Sequence, residues 1–433
     1  MILIVAAFAI ASCRKPEIIV PIVQPKVNCD FGACDTSKLD LVWQRPLSED
    51  TSEWDSTPPL LFENSVLFTR YAFGEVPDTL KRFNSLTGRL EWTWSDFGMK
   101  YPSISSRKIY LTQNKYVFTT WNDVYAVNAI NAINGQLSGK SIMQNTADGS
   151  NRGHPFMNVL DNTLYHVHER RENKRTIASH LVKSNLEIGK WDTIFTQPII
   201  NNLEPHLEMP ALWKSPAGDE IVIFQIRYFD FQTYEQKIDV VAYNSTKKEM
   251  YFRFEDVDFR KTGSVLFPFV LKNKVYIPLN SNVVCYDLLE KKKLWDKNFG
   301  FDGFFTSGQP FLFVENQFFV KPSNRSLYQL DPDTGAEIWV DKNNGSGNSD
   351  MVYDNGVLYF TADGVGKIFA LELASKKWLW SEPSPNKFPN KLNGNRRYGN
   401  ANIGTGGIAI DAKNGYLYTS DFYFAMCLKL PKR

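Results

Sequence analysis

The sequence predicts an all-β fold: an eight-bladed β-propeller of four-stranded antiparallel blades, closed by the N-terminal strand joining the last blade. Three observations support this fold: a high aromatic content, a polar turn that recurs about every 50 residues, and an aromatic residue at a fixed offset from a second turn. Of 433 residues, 14% are aromatic, with 31 Phe, 19 Tyr and 11 Trp. Because strands accommodate aromatic and β-branched side chains well, this composition favours β structure.

The recurring turn lies between two apolar runs and has the residue types of a two-residue hairpin. Asn tolerates the left-handed backbone conformation that such hairpins require, so each occurrence predicts a hairpin. In one turn Asp takes the place of Asn. The turns lie at Asn64, Asn114, Asn162, Asp219, Asn273, Asn316, Asn355 and Asn414.

The second repeat places an aromatic residue eight positions after the start of another turn. In the stretch LYQLDPDTGAEIWV this turn starts at Asp331 and the aromatic residue is Trp339. Aromatic residues near an outer strand fill the wedge that widens between neighbouring blades. The residues that keep this offset are Trp92, Trp191, Phe252, Trp295, Trp339 and Trp380.

Residues 351–382 show the strands of one unit most clearly. The runs MVY, VLYFTA, KIFALEL and KWLWSE are separated by the turn sequences DNG, DGVG and ASK. Short antiparallel strands in repeated units, without helical periodicity, are typical of a propeller. Blades are expected to start near residues 58, 102, 155, 209, 266, 309, 350 and 407.

The last unit ends without a fourth strand or a Trp, and the missing piece is found at the other end of the chain. The stretch LDLVW, which ends at Trp43, has the pattern of an outer strand. We therefore expect it to complete the eighth blade and remove the open edge of the ring. Residues 39–433 are predicted to form this single domain.

The N-terminal run MILIVAAFAIASC is apolar and too short to span a bilayer as a stable anchor. Residues 10–13 resemble a lipobox, which predicts that residues 1–12 are a lipoprotein signal peptide and that Cys13 is lipidated; a plain secretory signal is the alternative. Residues 13–38 contain three prolines and are predicted to be a tether. Within it, Cys29 and Cys34 are expected to form a disulfide, with metal binding as the alternative.

The segments LYQLDPDTGAEIW and IFALELASKKWLW resemble the repeat of the pyrroloquinoline-quinone-type (PQQ-like) eight-bladed propellers. A lipobox followed by a single propeller resembles the BamB-like lipoproteins. This resemblance implies a non-catalytic scaffold that is lipid-anchored to the outer membrane, on its periplasmic face or at the cell surface. Its implied partners are envelope proteins, among them the outer-membrane assembly machinery.

Two alternatives remain within this resemblance: a quinoprotein-like or other small-ligand-binding enzyme, and a surface glycan-binding lipoprotein. The quinoprotein enzymes hold PQQ and calcium and often carry a pair of adjacent cysteines, which this chain lacks. Neither PQQ nor calcium is therefore expected, and no catalytic motif stands out. The net charge of +2 argues against nucleic-acid binding. We expect a monomeric propeller.

Two groups of residues are candidates for binding. His154, His206 and Glu208 lie just before the innermost strands of blades three and four, which is expected to bring them to one mouth of the central channel, as a ligand site or as channel lining. Residues 381–407 form the longest segment that is predicted to be irregular. They carry Arg396, Arg397 and Tyr398, either as loop-binding residues or as part of a mobile surface insertion.

Other chemically suggestive residues have structural explanations. Lys and Asn occupy the position of Asp331 in other units, so its Asp-x-Asp-x-Gly spacing predicts a turn rather than a calcium loop. His166 and His168 share one face of a strand but lack a third metal ligand nearby, which favours a solvated or aromatic-packed pair. Cys285 and Cys427 occupy positions that are Ala in other blades, so they are expected in the core.

Overall fold

The computed structural model consists of β-strands, turns and their connections. The part of the chain that it describes contains no helix long and apolar enough to cross a membrane. The predicted signal peptide, Cys13, Cys29 and Cys34 lie outside the described residues. The described residues are 37–47, 57–70, 79–95, 103–104, 109–121, 125–143, 151–160, 163–173, 175–185, 190–260, 268–279, 281–300, 309–322, 324–342, 350–362, 367–392, 395–400, 407–421 and 424–431.

The first half of the chain forms one separate strand and four blades. The separate strand is β1 (Asp40–Pro46). Blade 1 contains β2 (Leu60–Phe62), β3 (Ser65–Arg70), β4 (Thr79–Asn84) and β5 (Leu90–Trp94). Blade 2 contains β6 (Ser103–Ile104), β7 (Tyr110–Thr112), β8 (Lys115–Trp121), β9 (Tyr125–Asn131) and β10 (Leu137–Met143). Blade 3 contains β11 (Asn151–Leu160), β12 (Thr163–Glu172), β13 (Arg175–Asn185) and β14 (Lys190–Pro198). Blade 4 contains β15 (Glu204–Leu207), β16 (Ala211–Lys214), β17 (Glu220–Phe229), β18 (Gln236–Asn244) and β19 (Glu249–Arg260).

The second half forms the other four blades and one extra hairpin. Blade 5 contains β20 (Phe269–Leu271), β21 (Lys274–Leu279), β22 (Asn282–Asp287) and β23 (Lys292–Asn298). Blade 6 contains β24 (Phe311–Val314), β25 (Gln317–Val320), β26 (Ser326–Leu330) and β27 (Glu337–Lys342). Blade 7 contains β28 (Val352–Asp354), β29 (Val357–Ala362), β30 (Lys367–Glu372) and β31 (Lys377–Pro383). The hairpin is β32 (Lys387–Leu392) with β33 (Asn395–Asn400), and blade 8 contains β34 (Ile408–Asp411), β35 (Tyr416–Ser420) and β36 (Phe424–Lys429).

The N-terminal strand closes the ring as predicted. Blade 8 has the strand order β1-β36-β35-β34, so its outermost strand comes from the opposite end of the chain. Strand β1 runs antiparallel to β36, with Trp43 opposite Cys427. Trp43 is buried and packs against Phe68 and Phe83 of blade 1. The eight-bladed all-β ring is therefore confirmed.

A hydrophobic cluster lies at each boundary between neighbouring blades, and this is where the core is found. The cluster around Trp43, Phe68 and Tyr418 joins blade 8 to blade 1. The cluster around Tyr165, Leu207 and Phe224 joins blade 3 to blade 4. Because each blade has two apolar faces, only a closed ring buries both faces of every blade. Cys285 and Cys427 are fully buried in two different clusters, which confirms the core positions predicted for them.

Three outer-strand tryptophans lie on a glycine of the next blade. Trp43 lies on Gly88, Trp92 on Gly135, and Trp295 on Gly335; a Cβ at any of these glycines would be 2.7 Å from an indole carbon. All three glycines have φ between 65° and 72°, a left-handed conformation that glycine adopts without strain. Each indole N–H also donates to a carbonyl of the same turn, at 2.8 Å for Trp43 and 3.2 Å for the other two. Gly335, the glycine of the Asp-x-Asp-x-Gly stretch, therefore packs against the indole of Trp295.

Three other blades place a lysine at the position of this glycine. Lys248, Lys291 and Lys376 have φ between 52° and 58°. Each ammonium group reaches back to the preceding blade. It lies 3.3 Å from a carboxylate oxygen of Asp192 for Lys248, and over the rings of Tyr251 and Phe319 for Lys291 and Lys376. In blades 4, 5 and 7, a lysine ammonium group thus makes the contact with the preceding blade that an indole makes at blades 1, 2 and 6.

Within the described residues, the predicted turns of the Asn type connect the first two strands of their blades, or β7 with β8 in blade 2 and β16 with β17 in blade 4. Asn162 lies outside the described residues. Asn114, Asn316 and Asn355 have left-handed φ values of 59°, 59° and 46°. At two other turns, the residue before the Asn has this conformation, with φ of 54° for Glu63 and 52° for Lys272. Asp331 accepts the N–H groups of Asp333 and Thr334 at 2.9 and 2.8 Å, so this segment is a turn as predicted.

The two kinds of turn lie on the same face of the ring. The backbone N–H of Leu373, in a turn after a third strand, donates to the carbonyl of Gly356, in a turn between first and second strands. The pairs Ser85 with Asn64 and Leu288 with Asn273 repeat this contact. We call this face the turn side. The hairpins between second and third strands lie at the opposite ends of the strands, on what we call the hairpin side.

Candidate functional site

Blades 3 and 4 have longer strands than the other blades, and these strands extend the hairpin side. Strand β13 has 11 residues and β19 has 12, whereas β22 and β30 have six each. The extensions bring three segments together: the end of the β12–β13 hairpin, the connection into β15 and the end of the β17–β18 hairpin. We call this region the crown and define it as residues 169–173, 175–176, 199–208 and 227–236.

Glu204 joins the connection between blades to the β12–β13 hairpin. Its Oε1 accepts from Nε of Arg175 at 2.8 Å, and its Oε2 accepts from the backbone N–H of Thr176 at 2.9 Å. Arg175 also donates to the carbonyl of Asn202 at 2.9 Å. Asn201 and Asn202 have φ of 51° and 65°, a conformation that Asn tolerates better than most residues. Glu204 is only 1% exposed, and the guanidinium of Arg175 compensates the charge of its buried, hydrogen-bonded carboxylate.

A second buried carboxylate crosses from blade 3 to blade 4. Glu169 is fully buried, and its Oε1 lies 2.5 Å from Nδ1 of His206. Its Oε2 accepts from Arg171 at 3.2 Å and from the hydroxyl of Thr176 at 3.3 Å. Donors thus reach both carboxylate oxygens, as a buried charge requires. This network fixes the two extended blades relative to each other.

His206 and Glu208, two of the predicted channel-rim residues, have different partners. His206 lies within β15, the innermost strand at this end of the blade, and faces Glu169. Glu208 is 2% exposed and accepts from Nε of Arg227 at 3.0 Å, while its N–H donates to the carbonyl of Gln225. His154 lies on β11, but its side chain lies outside the described part of the chain. The structure therefore places His206 and Glu208 in the framework of the crown.

The end of the β17–β18 hairpin exposes two aromatic side chains. Phe231 is 48% exposed and Tyr234 is 63% exposed, and both rings contact Phe229, with centroids 4.7 and 6.1 Å away. Asp230 holds the turn by accepting the N–H groups of Gln232 and Thr233 at 2.7 and 3.3 Å. These N–H groups lower the pKa of Asp230. Tyr234 has φ of 59°, which is unfavourable for a bulky residue, so its surroundings must enforce this conformation.

A third polar network lies beneath this hairpin. Arg253 donates to Asp239 at 3.0 and 2.5 Å and to the hydroxyl of Tyr228 at 2.7 Å. It also reaches Gln197 of blade 3 at 3.4 Å. Burial raises the pKa of Tyr228 to about 12, so this hydroxyl keeps its proton at physiological pH. The base of the hairpin is therefore rigid and joined to the neighbouring blade.

The histidines of blade 3 are packed against aromatic rings. His166 lies edge-on to Trp191 at 4.6 Å, and His168 stacks on His180 at 5.7 Å. Burial lowers the pKa of His166 to about 3 and that of His168 to about 4, so both are neutral at physiological pH. In the residues that the structure describes, no three His, Cys, Asp or Glu side chains are grouped to hold a metal ion.

The predicted irregular segment at residues 381–407 contains regular structure, which corrects the prediction. Strand β31 continues to Pro383, and β32 pairs with β33 in an antiparallel hairpin. Arg396, Arg397 and Tyr398 lie on β33, opposite Lys391, Asn390 and Pro389. These three candidate binding residues are therefore on a hairpin, far along the chain from the crown. The prolines and polar residues of this segment lack the alternation typical of a strand, so the sequence pattern did not predict the pairing of β32 with β33.

Comparison with known proteins agrees with the repeat found in the sequence. Residues 323–417 match the family model described as outer membrane protein assembly factor BamB. The resemblance to the PQQ-like propellers is confirmed. The matched residues run from blade 6 into blade 8, and no curated protein matches the chain by sequence.

Solved structures share the propeller architecture at low sequence identity. BamB from Moraxella catarrhalis has a TM-score of 0.50 and 10% identity, covering 91% of this chain and 98% of its own. A computationally designed protein has a TM-score of 0.59 and 12% identity, covering 91% of this chain and all of its own. A quinohemoprotein alcohol dehydrogenase from Pseudomonas putida has a TM-score of 0.59 and 11% identity, covering 91% and 76%. At these identities the similarity shows the fold alone.

Sequence patterns did not identify the exposed residues of the crown. Phe231 and Tyr234 belong to the stretch RYFDFQTYEQK, whose aromatic residues also fit an ordinary strand. One signal was available: the predicted starts of blades 3, 4 and 5, near residues 155, 209 and 266, are farther apart than those of blades 6 and 7, near 309 and 350. In blades 3 and 4 this longer spacing corresponds to longer strands.

Proposed function

We propose that this PQQ-like propeller is a non-catalytic scaffold of the cell envelope that binds a partner protein through the crown. The observation that carries the proposal is the exposure of Phe231 and Tyr234 on a hairpin whose base is fixed by buried polar networks. Aromatic residues are enriched at protein interfaces and often provide most of the binding energy. A rigid hairpin presents them without an ordering cost on binding.

The surroundings of the two aromatic residues fit a protein interface. Ile200, on the connection between blades 3 and 4, is 41% exposed. In the part of the chain that the structure describes, Ile200, Phe231 and Tyr234 are the exposed large apolar residues on the hairpin side. Arg170 and Glu172 are partly exposed on the neighbouring hairpin and pair at 2.7 Å. An apolar centre with a charged rim is the usual composition of a specific interface.

The N-terminal sequence and the family match support the proposed location and partner class. We propose that Cys13 is acylated and holds the propeller at the outer membrane. The family model that matches residues 323–417 is described as an outer membrane protein assembly factor, which supports an envelope protein of the assembly machinery as partner. A scaffold role requires no catalytic group in the channel.

The proposal is tested by crosslinking and affinity capture from cells that express the full-length chain. The test variant is Phe231→Ser with Tyr234→Ser, and the matched control is Leu289→Ser, which changes a residue 46% exposed on the turn side of blade 5. We expect the wild type and the control to capture the same envelope protein, and the double variant to capture about tenfold less. Equal capture by the double variant, at equal thermal stability, would show that the crown is not the docking surface.

An enzymatic function is the second candidate, since a quinohemoprotein alcohol dehydrogenase shares this architecture. The two functions differ in a simple binding experiment. The purified protein is mixed with calcium and PQQ, and its thermal unfolding, absorption spectrum and dye-linked alcohol oxidation are measured. A scaffold gives no saturable thermal shift, no bound-quinone band and no oxidation, whereas any saturable response with turnover supports the enzyme.

A further inference from the structure

The turn side of blades 8, 1 and 2 carries a concentration of exposed aliphatic residues. Each of these three consecutive blades exposes two of them, with exposed fractions between 38% and 55%. On the turn side of blades 4 to 7, the described residues expose one large apolar residue per blade: Met250, Leu289, Ile338 and Leu379. We call the six residues of blades 8, 1 and 2 the apolar fringe: Leu41, Val42, Leu86, Leu90, Ile133 and Leu137.

The strands and turns that carry the apolar fringe contact one another from blade to blade. In blade 8, the strand with Leu41 and Val42 continues into Trp43, which lies on Gly88 and donates to the carbonyl of Ser85, next to Leu86. In blade 1, Trp92 follows Leu90 and donates to the carbonyl of Ile133. The segments that carry the aliphatic residues therefore contact one another across three neighbouring blades.

The turns of the apolar fringe in blades 1 and 2 are almost uncharged, unlike the equivalent turns of blades 4 to 7. Residues 84–90 contain Arg89 as their one charged residue, and residues 131–137 contain none. The equivalent stretches of blades 4, 5, 6 and 7 are NSTKKEM, DLLEKKK, DPDTGAE and ELASKKW, each with at least three charged residues. The ring thus has a charged sector and an apolar sector on the same face.

The composition of the apolar fringe fits a lipid surface better than a protein partner. It consists of Leu, Val and Ile without an aromatic residue, whereas aromatic residues characterise protein interfaces and occur in the crown. Aliphatic residues on turns can insert shallowly among lipid chains. Arg45 and Arg89 lie beside them, with side chains that are at least partly exposed and suited to anionic headgroups. The exposed Lys38 lies 3.7 Å from a carboxylate oxygen of Glu382. Of the other acidic neighbours, Glu91 is paired with Arg82 at 3.0 Å and Asp40 is exposed.

The path of the chain favours the same partner. The sequence predicts acylation at Cys13, and the chain enters the ring through β1, the strand that carries Leu41 and Val42. About two dozen residues separate Cys13 from β1, so an extended tether reaches at most about 80–90 Å. A tether of this length holds the apolar fringe at a high effective concentration next to the bilayer, so that a weak contact persists.

We propose that the apolar fringe is a membrane-contact surface that rests on a phospholipid bilayer. Blades 8, 1 and 2 then face the membrane with their turn side, while the crown, on the opposite face, points away from it. The anchor and the apolar fringe together give the propeller a defined orientation. This orientation leaves Phe231 and Tyr234 free to meet a partner in the surrounding compartment.

The proposal is tested by placing the photoreactive residue benzoylphenylalanine at single positions of the full-length, membrane-anchored protein. The test positions are Leu86 and Ile133. The controls are Leu289, which has the same turn position in the charged sector, and Tyr234 on the crown. After irradiation, covalent phospholipid and protein adducts are quantified by mass spectrometry, and each variant is accepted when its thermal unfolding matches the wild type.

We expect about tenfold more phospholipid adduct at Leu86 and Ile133 than at Leu289 or Tyr234, because only inserted side chains reach the lipid chains. Equal lipid adducts at Leu289 would mean that the anchor alone causes the proximity and would overturn the proposal. Protein adducts in place of lipid at Leu86 and Ile133, or no adduct at either, would also overturn it. None of these outcomes affects the role of the crown, which depends on Tyr234 forming protein adducts.

Discussion

The indole of Trp43 lies directly against the backbone of Gly88, although the two residues belong to the last and the first blade of the ring. A Cβ on Gly88 would lie 2.7 Å from Cδ2 of the indole, and the indole N–H donates to the carbonyl of Ser85 at 2.8 Å. This contact joins the strand contributed by the N-terminus to blade 1. It is the point at which the eight units become a closed ring.

Substitution of Gly88 by Ala is expected to destabilise the protein by about 2–4 kcal/mol, from left-handed strain and from displacement of the indole. The matched control is Gly415→Ala. Gly415 has φ of 74° but nothing within 4 Å of its Cβ position, so it carries the strain alone. Thermal and urea unfolding should rank Gly88→Ala clearly below Gly415→Ala. Equal losses would show that the indole contact contributes nothing to closure.

Lys291 is expected to stabilise the boundary between blades 4 and 5 in spite of its strained backbone. Its ammonium nitrogen lies 3.9 Å from the centroid of the Tyr251 ring, while its φ is 52°. Lys291→Met keeps the strain and loses the cation–π contact, so we expect a loss of about 0.5–1 kcal/mol. Lys291→Gly loses the contact but relieves the strain and should remain near the wild type. A Gly variant as unstable as the Met variant in urea unfolding would contradict this account.

Lys321 is expected to make stability depend on pH. It is 1% exposed, lies over the ring of Phe360, and burial lowers its pKa from 10.5 to about 7. Between pH 7 and 10.5 the unfolded chain binds a proton that the folded chain lacks, so this residue makes the free energy of unfolding rise with pH in that window. Below pH 7 the lysine is protonated in both the folded and the unfolded chain, so the folded state carries the full free-energy cost of burying its charge.

Lys321→Met removes this titration and should stabilise the protein by about 1–3 kcal/mol at pH 6, with a smaller gain near pH 10. The gain is measured as the difference in urea midpoint at each pH. Lys342→Met changes an exposed lysine of the same blade and serves as the control. If the wild type and Lys321→Met keep a constant difference from pH 6 to pH 10, the lysine does not titrate in this window.

Glu169 is expected to be essential for the stability of the crown. Glu169→Ala leaves His206, Arg171 and Thr176 without the carboxylate that they share, and loss of one partner of a buried charged network costs about 3–5 kcal/mol. Glu172→Ala breaks a pair in which both side chains are more than 40% exposed, so a loss below about 1 kcal/mol is expected. Hydrogen exchange should show faster exchange in β12, β13 and β15 for the first variant alone. Unchanged exchange there would contradict a structural role for this network.

The architecture could be predicted from the sequence because its signals are local. Trp339 and its counterparts recur at one offset from a turn, and the turn residues indicate hairpins a few residues apart. Even the closure by Trp43 was predictable, since the eighth unit lacked one strand that the N-terminus matched. These features depend on neighbours in the chain or on counting units.

The crown was not predictable because its contacts join distant residues. Glu169 and His206 are 37 positions apart, and the sequence around either residue does not indicate that the two are in contact. The same holds for Lys291, whose role emerges only when Tyr251 is placed beneath it by a neighbouring blade. His206 was expected just before the innermost strand of blade 4 and lies within β15 instead. Its buried partner could be found only in three dimensions.

The most direct test of the scaffold role is photo-crosslinking in living cells from position Tyr234, with Leu289 as the reference position. Both positions receive benzoylphenylalanine in the full-length chain, and adducts are separated and identified by mass spectrometry. A crown that docks a partner gives one discrete protein adduct from Tyr234 that is absent from Leu289. No protein adduct from Tyr234, or the same adducts from both positions, would contradict the central claim.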